Sequence, residues 1–144
     1  MPIKIGLLAT ARKKRSYPAP VVEFYTSPLF RKSVQYAFQN YDRIYFYNAK
    51  DGLLQPEQIM EPYDVSIKTF TLEEKKEWAQ GVVSAFRYFE SPEQITVYLH
   101  GGYVYRKFLQ PELTRYGFHF RVPLKGLGIG KQLSWYDEHI KSDD

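Results

Sequence analysis

The chain alternates strand-like runs with amphipathic helical stretches. That alternation predicts an α/β fold, a mostly parallel central sheet of about four strands with helices on both faces in a Rossmann-like three-layer arrangement. Three observations carry the expectation. Four runs rich in β-branched and aromatic residues recur at residues 3–9, 43–48, 95–99 and 118–122. The segments between them carry apolar residues at helical spacing. Two of those segments open on helix-start signals, Ser27-Pro28 and Thr71-x-x-Glu74. A length of 144 residues suits a single domain spanning 1–144.

Residues 3–9, IKIGLLA, form the first expected strand, and TARKKRSYPAP then breaks the pattern with charge and proline. A helix follows Ser27, with Phe30, Val34, Ala37, Phe38 and Tyr41 on one face and Arg31, Lys32, Gln35 and Gln39 outside. RIYFYN, residues 43–48, is the second strand. The polar stretch after it contains Pro56 and Pro62, which argue for a connecting segment rather than a long helix. Thr71 and Glu74 form a capping box for a helix whose apolar face is Leu72, Ala79, Val82, Val83, Phe86 and Phe89, ended by Ser91-Pro92. ITVYL is the third strand. After His100-Gly101-Gly102 a helix runs from Tyr103 to about Leu109 and stops near Pro111. Residues 118–122 give a fourth strand. A last helix carries Ile129, Leu133, Tyr136 and Ile140, and the tail KSDD is expected to fray.

Composition bounds the function. There is no cysteine, which excludes disulfides, thiolate catalysis and Cys-type zinc sites. His100, His119 and His139 show no metal-ligand spacing, and no metal or cofactor is expected. No apolar stretch reaches the roughly 20 residues that span a bilayer, and the basic residues follow rather than precede the first apolar run, so the expectation is a cytoplasmic protein without a membrane role. A net charge of +4 permits phosphate-bearing partners without requiring them. The 17% aromatic content, with 13 tyrosines, fits a core boundary or a wet cleft, since each tyrosine pairs an apolar ring with a polar tip.

In a parallel sheet with right-handed crossovers the strand-to-helix loops gather at the carboxyl edge, where ligands of open α/β sheets bind. Here those loops begin near Thr10, Asn48, His100 and Pro123. The run Arg12-Lys13-Lys14-Arg15 reads equally as a phosphate site or a solvated loop. Lys50, Asp51, Glu61 and Asp64 read as a structural network, with Gly52 supplying a turn, as ribose or base recognition, or as an acid–base pair. Gly101 and Gly102 admit close approach of a ligand to backbone. His100 fits a satisfied edge histidine as well as a proton carrier. GLGIGKQ, residues 126–132, lacks the P-loop spacing, and tight packing of a helix start on the sheet is favoured there over phosphate binding.

The segments EFYTSPLFRKSVQYA, NAKDGLLQPEQIMEPYD and PLKGLGIGKQLSW together resemble a bacterial and phage family of small proteins of unknown function, over nearly the whole chain. Gly52-Leu53-Leu54-x-Pro56 and Pro62-Tyr63 are also similar to the YaaA-type peroxide-stress proteins. That resemblance implies a link to DNA binding and oxidative protection, but carries over no catalytic residue. Members of the closer family place Ser and Cys with Lys after the first strand. Here the stretch reads Ala9-Thr10-Ala11-Arg12-Lys13-Lys14, which leaves Thr10 a hydroxyl role and Lys13 or Lys14 the cationic one.

The expected function is binding of a nucleic acid or nucleotide in a basic cleft at the carboxyl edge. Lys13 or Lys14 and Arg31 would contact phosphate, Lys50, Asp51 and Asp64 sugar or base. Thr10, Tyr25, Ser27, Gly52, Tyr63, Gly101, Gly102, Tyr103 and Gly128 complete the expected lining. Two alternatives stand beside it. One is an enzyme acting on a nucleotide or nucleoside by hydrolysis or glycosyl transfer, with Asp64, Glu61 or Asp51 as general acid or base. The other is a protein-interaction module using Tyr103 and Tyr105. Oligomeric state is not legible.

Overall fold

The computed structural model describes residues 2–142. Asp143 and Asp144, half of the tail expected to fray, lie outside the described residues. In chain order the elements are β1 (Ile3–Ala9), β2 (Ala19–Pro20), α1 (Val21–Phe24), α2 (Pro28–Asn40), β3 (Arg43–Asn48), β4 (Gly52–Leu54), β5 (Ile59–Met60), α3 (Leu72–Phe89), β6 (Ile95–His100), α4 (Tyr103–Arg115), β7 (His119–Arg121) and α5 (Ile129–His139).

The main sheet has five strands in the order β4-β3-β1-β6-β7. β1 pairs in parallel with β3 and β6, and β6 with β7. β4 runs antiparallel to β3, so the sheet is mixed and holds one strand more than the sequence pattern suggested. The added strand comes from the segment read as a plain connection. Asn48 Oδ1 accepts the amide of Asp51 at 2.6 Å, Gly52 turns the chain at φ +77°, and Leu54 is then fully buried beside Phe46. β2 and β5 make a separate two-stranded pair.

Alternate residues of β1 serve two cores, as the period of two requires. Ile5 and Leu7 pack with Tyr45, Tyr47, Val97 and Leu99 against Trp78, Val82, Val83 and Phe86 of α3 and Leu109 and Leu113 of α4. Leu8 joins Ile44 and Phe46 against Phe24, Phe30, Val34 and Ala37. α3 packs on α4 and α5 on α2. The last contact is held by a Lys32–Asp137 ion pair and by the Gln39 carboxamide, which donates to the Lys141 carbonyl and accepts its amide.

Both helix-start signals hold. Ser27 Oγ accepts the Phe30 amide at 3.1 Å, and Thr71 and Glu74 form the reciprocal capping box. Two helix readings change. α4 continues through Pro111 to Arg115 because Leu109 and Leu113 are fully buried on either side of it. The carbonyl that Pro111 leaves without a donor belongs to exposed Lys107, where solvent can reach it. Phe38 is 62% exposed rather than core-facing. At helical spacing it lies about 80° round from Phe30, at the flank of the stripe. Leu72 and Phe89 of α3 are exposed for a different reason: they lie close to the line of the stripe but are the first and last residues of the helix.

At the amino edge of the sheet, Glu90 is buried beneath the end of α3. Arg43 reaches it with two hydrogen bonds of 2.7 Å, and the Tyr45 hydroxyl donates at 2.6 Å. Burial alone would raise this carboxyl, but the hydrogen bonds from Arg43 and Tyr45 and the guanidinium charge outweigh it and hold the group below its usual range. The folded protein therefore keeps the carboxylate where an unfolded chain would protonate. Its stabilisation is complete above the unfolded value near 4.3 and is lost as pH falls through the lower folded value. Because Arg43 is half exposed, Glu90→Gln is expected to cost about 2 kcal/mol at neutral pH, less than the 3–5 kcal/mol of a fully buried pair. Urea titrations of both proteins should draw together as pH falls from about 4.3 through the lower folded value of Glu90.

Candidate functional site

β1, β3 and β6 end side by side at one edge. Ala9 stands opposite Tyr47, and Leu8 opposite His100, so the chain leaves β1 between the ends of its two neighbours. Thr10 is fixed there twice over, its amide and its hydroxyl both donating to the Tyr47 carbonyl. Two cavities flank it. An inner chamber of about 220 Å³ lies between the end of β1, the start of α2, the His100–Gly102 turn and the first turns of α5. An outer chamber of about 230 Å³ lies between the Arg12–Lys14 loop, Asn48 and the Tyr63–Lys68 segment. Thr10, Ala11 and Tyr105 line both, so the two make one cleft.

No Asp, Glu, Lys or Arg lines the inner chamber. Its floor includes His100, whose two ring nitrogens are hydrogen-bonded to the hydroxyls of Tyr41 and Tyr136. Burial without a carboxylate partner lowers this imidazole to about 3, so it is neutral near pH 7. Of the two readings left open by the sequence, the satisfied histidine is the one found. Gly101 sits at φ +139°, and a Cβ there would come within 2.0 Å of the Tyr47 hydroxyl, which donates to the His100 carbonyl at 2.7 Å. Only glycine fits this turn. Below it, the buried Arg106 guanidinium holds the Gly101 carbonyl at 3.0 Å.

The outer chamber is polar. Tyr63 and Tyr25 hydrogen-bond to each other through their hydroxyls at 2.5 Å, and the Asn48 amide donates to Tyr63 at 3.1 Å. Burial raises both phenols, so neither is a ready nucleophile. The Tyr63 ring carries two ammonium groups, Lys14 at 4.6 Å and Lys50 at 5.5 Å from its centroid. Partial burial lowers Lys14, and Asp64 works against that shift.

Of the residues proposed from sequence, Thr10, Lys14, Ser27, Tyr63, Asp64, Gly101 and Gly102 line the cleft. Tyr25 lies beneath Tyr63, and Lys50 approaches the same ring. The others are elsewhere. Lys13 is exposed and lines neither chamber; its carbonyl holds the Thr26 amide instead. Arg31 points from the outer side of α2, and Glu61 is exposed on the irregular segment just beyond β5. Asp51 is tied to Asn48 in the hairpin turn that Gly52 completes. Tyr103 is 63% exposed under Arg106. Gly128 caps α5 outside the chamber, while Ile129 and Gln132 line it. The tight packing expected at 126–132 is not found, since a Cβ on Gly126, Gly128 or Gly130 would meet nothing within 4 Å.

Ser33, Lys68, Gln132 and Tyr136 are among the lining residues that the site reading did not name. Tyr136 showed only the helical spacing of a core face, and Gln132 only its place near the start of α5. Among the described residues there is no group of three or more His, Asp or Glu placed to hold a metal, and no helix long and apolar enough to cross a membrane.

Residues 5–138 match the model of a family of unknown function (DUF6884), and the chain belongs to that family. No curated protein and no solved structure matches it.

The buried histidine makes a pH prediction. An unfolded chain takes up a proton on His100 below about pH 6.5, which the folded protein refuses until about pH 3. Stability is thus full above 6.5 and falls as pH drops through that window, by up to about 1.4 kcal/mol per unit. The NMR shifts of the His100 imidazole should stay at their neutral values between pH 7 and about 4.5. Titration of His100 near 6.5 would contradict its burial.

Proposed function

We propose that this family member binds a phosphate-bearing nucleotide, free or at the end of a nucleic-acid strand, across the two chambers of the cleft. The observation that carries the reading is the junction at Thr10, where an uncharged chamber meets a cationic one. Arg12, Lys14 and Lys68 line the outer chamber against a single carboxylate, Asp64. Burial already strips water from Lys14, so an arriving phosphate regains for it the charge stabilisation that it has lost. The inner chamber, with Leu29, Phe30 and Tyr136 in its wall, suits a flat, neutral base.

The wider setting belongs to the same proposal. In a Rossmann-like three-layer arrangement the ligand sits outside the carboxyl ends of the strands, where this cleft lies. The short likeness of Gly52-Leu53-Leu54 and Pro62-Tyr63 to the YaaA-type proteins agrees with a nucleic-acid role, and a cytoplasmic location fits one. The enzyme reading is favoured by one observation only, that Asp64 stands in the chamber beside Lys14. Asp51 and Glu61 drop out as acid–base candidates on their positions. The interaction-module reading is weaker, because Tyr105 is already packed edge-on against Tyr47 and tilted on Trp78.

Calorimetry with mononucleotides and short single strands at rising salt tests the proposal. Affinity should fall with salt, and Lys14→Ala should weaken binding about tenfold and reduce the salt slope by about one ion. Affinity that ignores both salt and Lys14 would refute it. Under the enzyme reading, Asp64→Asn abolishes turnover of a nucleotide without loss of fold; under the binding reading it leaves affinity equal or tighter.

A further inference from the structure

The inner chamber has a hydrogen-bonding bias that selects among nucleotides. The Thr10 hydroxyl spends its hydrogen on the Tyr47 carbonyl at 3.0 Å. Ser33 spends its own on the Phe30 carbonyl at 2.7 Å. Gln132 spends one N–H on the Leu127 carbonyl at 2.8 Å. Each of these side chains lines the chamber, and what the two hydroxyls have left to offer is lone pairs. Gln132 keeps its carboxamide oxygen and one N–H. Ser27, which accepts the Phe30 amide, keeps its hydrogen and a lone pair. Among these four side chains, free lone pairs therefore outnumber free hydrogens.

Tyr136 is the adaptable member. Its hydroxyl meets His100 Nδ1 at 2.6 Å, and Tyr41 meets the other ring nitrogen. A neutral imidazole donates from one nitrogen and accepts at the other. The Tyr136 hydroxyl can thus face the chamber as donor or acceptor, and the fixed groups set the preference. With no charged side chain in the wall, a cationic ligand group would enter without compensation. The chamber suits a neutral group that brings its own N–H donors.

We infer that the inner chamber recognises a nucleobase carrying an exocyclic amine and discriminates against the keto base of the same shape. The inference rests on the nucleotide reading above. It adds the class of base, which that reading leaves open. A site whose acceptors face a carbonyl oxygen leaves lone pairs opposed and unpaired, which is the costly case.

The test is calorimetric titration of the full chain with adenosine 5′-monophosphate, inosine 5′-monophosphate and inorganic phosphate, with oligoadenylate run alongside to tell a free nucleotide from a strand. Adenosine and inosine monophosphates differ in the purine at two adjacent positions: the amine is replaced by a keto oxygen, and N1 changes from an acceptor to an N–H donor, so the pattern of donor and acceptor is reversed at constant shape. The amine-bearing ligand, free or in the strand, is expected to bind at least about tenfold more tightly, the ratio that one well-made hydrogen bond supports. Thr10→Val keeps the shape and removes the lone pairs, so it should shrink the ratio to about threefold or less; Ser33→Ala is the second variant should the first not fold. Equal binding of the two monophosphates, both tighter than phosphate, would overturn the inference and leave the nucleotide reading standing, as would a folded variant that keeps the full ratio. If neither nucleotide binds more tightly than phosphate, the nucleotide reading itself falls.

Discussion

The site depends on one constraint, the parallel hydrogen bonding of β1 on both sides. Parallel pairing with β3 and β6 brings three strand ends to the same edge, and the registers Ala9–Tyr47 and Leu8–His100 put them nearly level. The chain must then leave β1 in a gap with strand ends on either side. Thr10 is anchored in that gap through two bonds to one carbonyl. The cationic loop that follows cannot swing freely, because Arg15 donates to the Phe24 carbonyl and Thr26 to that of Lys13. Residues spread over more than a hundred positions in the chain become neighbours because one central strand is pinned.

The tyrosines give the cleft its character. Tyr41, Tyr47, Tyr25 and Tyr136 bury their rings and place their hydroxyls on other polar groups at or near the carboxyl edge. Each covers core on one side and satisfies a buried polar atom on the other. This division lets His100 be fully buried and neutral without an unpaired nitrogen. It also separates the charges. The lysines stand over the Tyr63 ring on the outer side, and the inner chamber keeps hydroxyls, amides and a neutral imidazole. A ligand with one neutral end and one anionic end meets both environments in order.

Much of the fold was legible because its signals are local. Ser27, the Thr71–Glu74 box and the apolar runs at 3–9, 43–48 and 95–99 act through neighbours a few residues away. The misses have physical causes as well. Pro111 loses its power to stop a helix when Leu109 and Leu113 are buried around it, and burial of that kind cannot be read from one residue. β4 was hidden because three residues show no period. Its existence follows from the Asn48–Asp51 turn and from the burial of Leu54. At the site, loop position was readable but side-chain direction was not. Lys13 and Lys14 are equivalent in the sequence, yet the bridge between Lys14 and Tyr25 places Lys14 in the cleft and leaves Lys13 outside. Asp51 read equally as structure or as chemistry, and its bonds are to Asn48, three positions back in the hairpin turn.

The central claim is that the two chambers act as one site for one ligand. Amide-resolved NMR titration with a mononucleotide tests it most directly. The account predicts that Thr10 and Ala11 at the junction, Lys14 in the outer chamber and Gln132 in the inner one shift together and saturate with a single constant. Shifts confined to one chamber, or two chambers saturating at different concentrations, would contradict it.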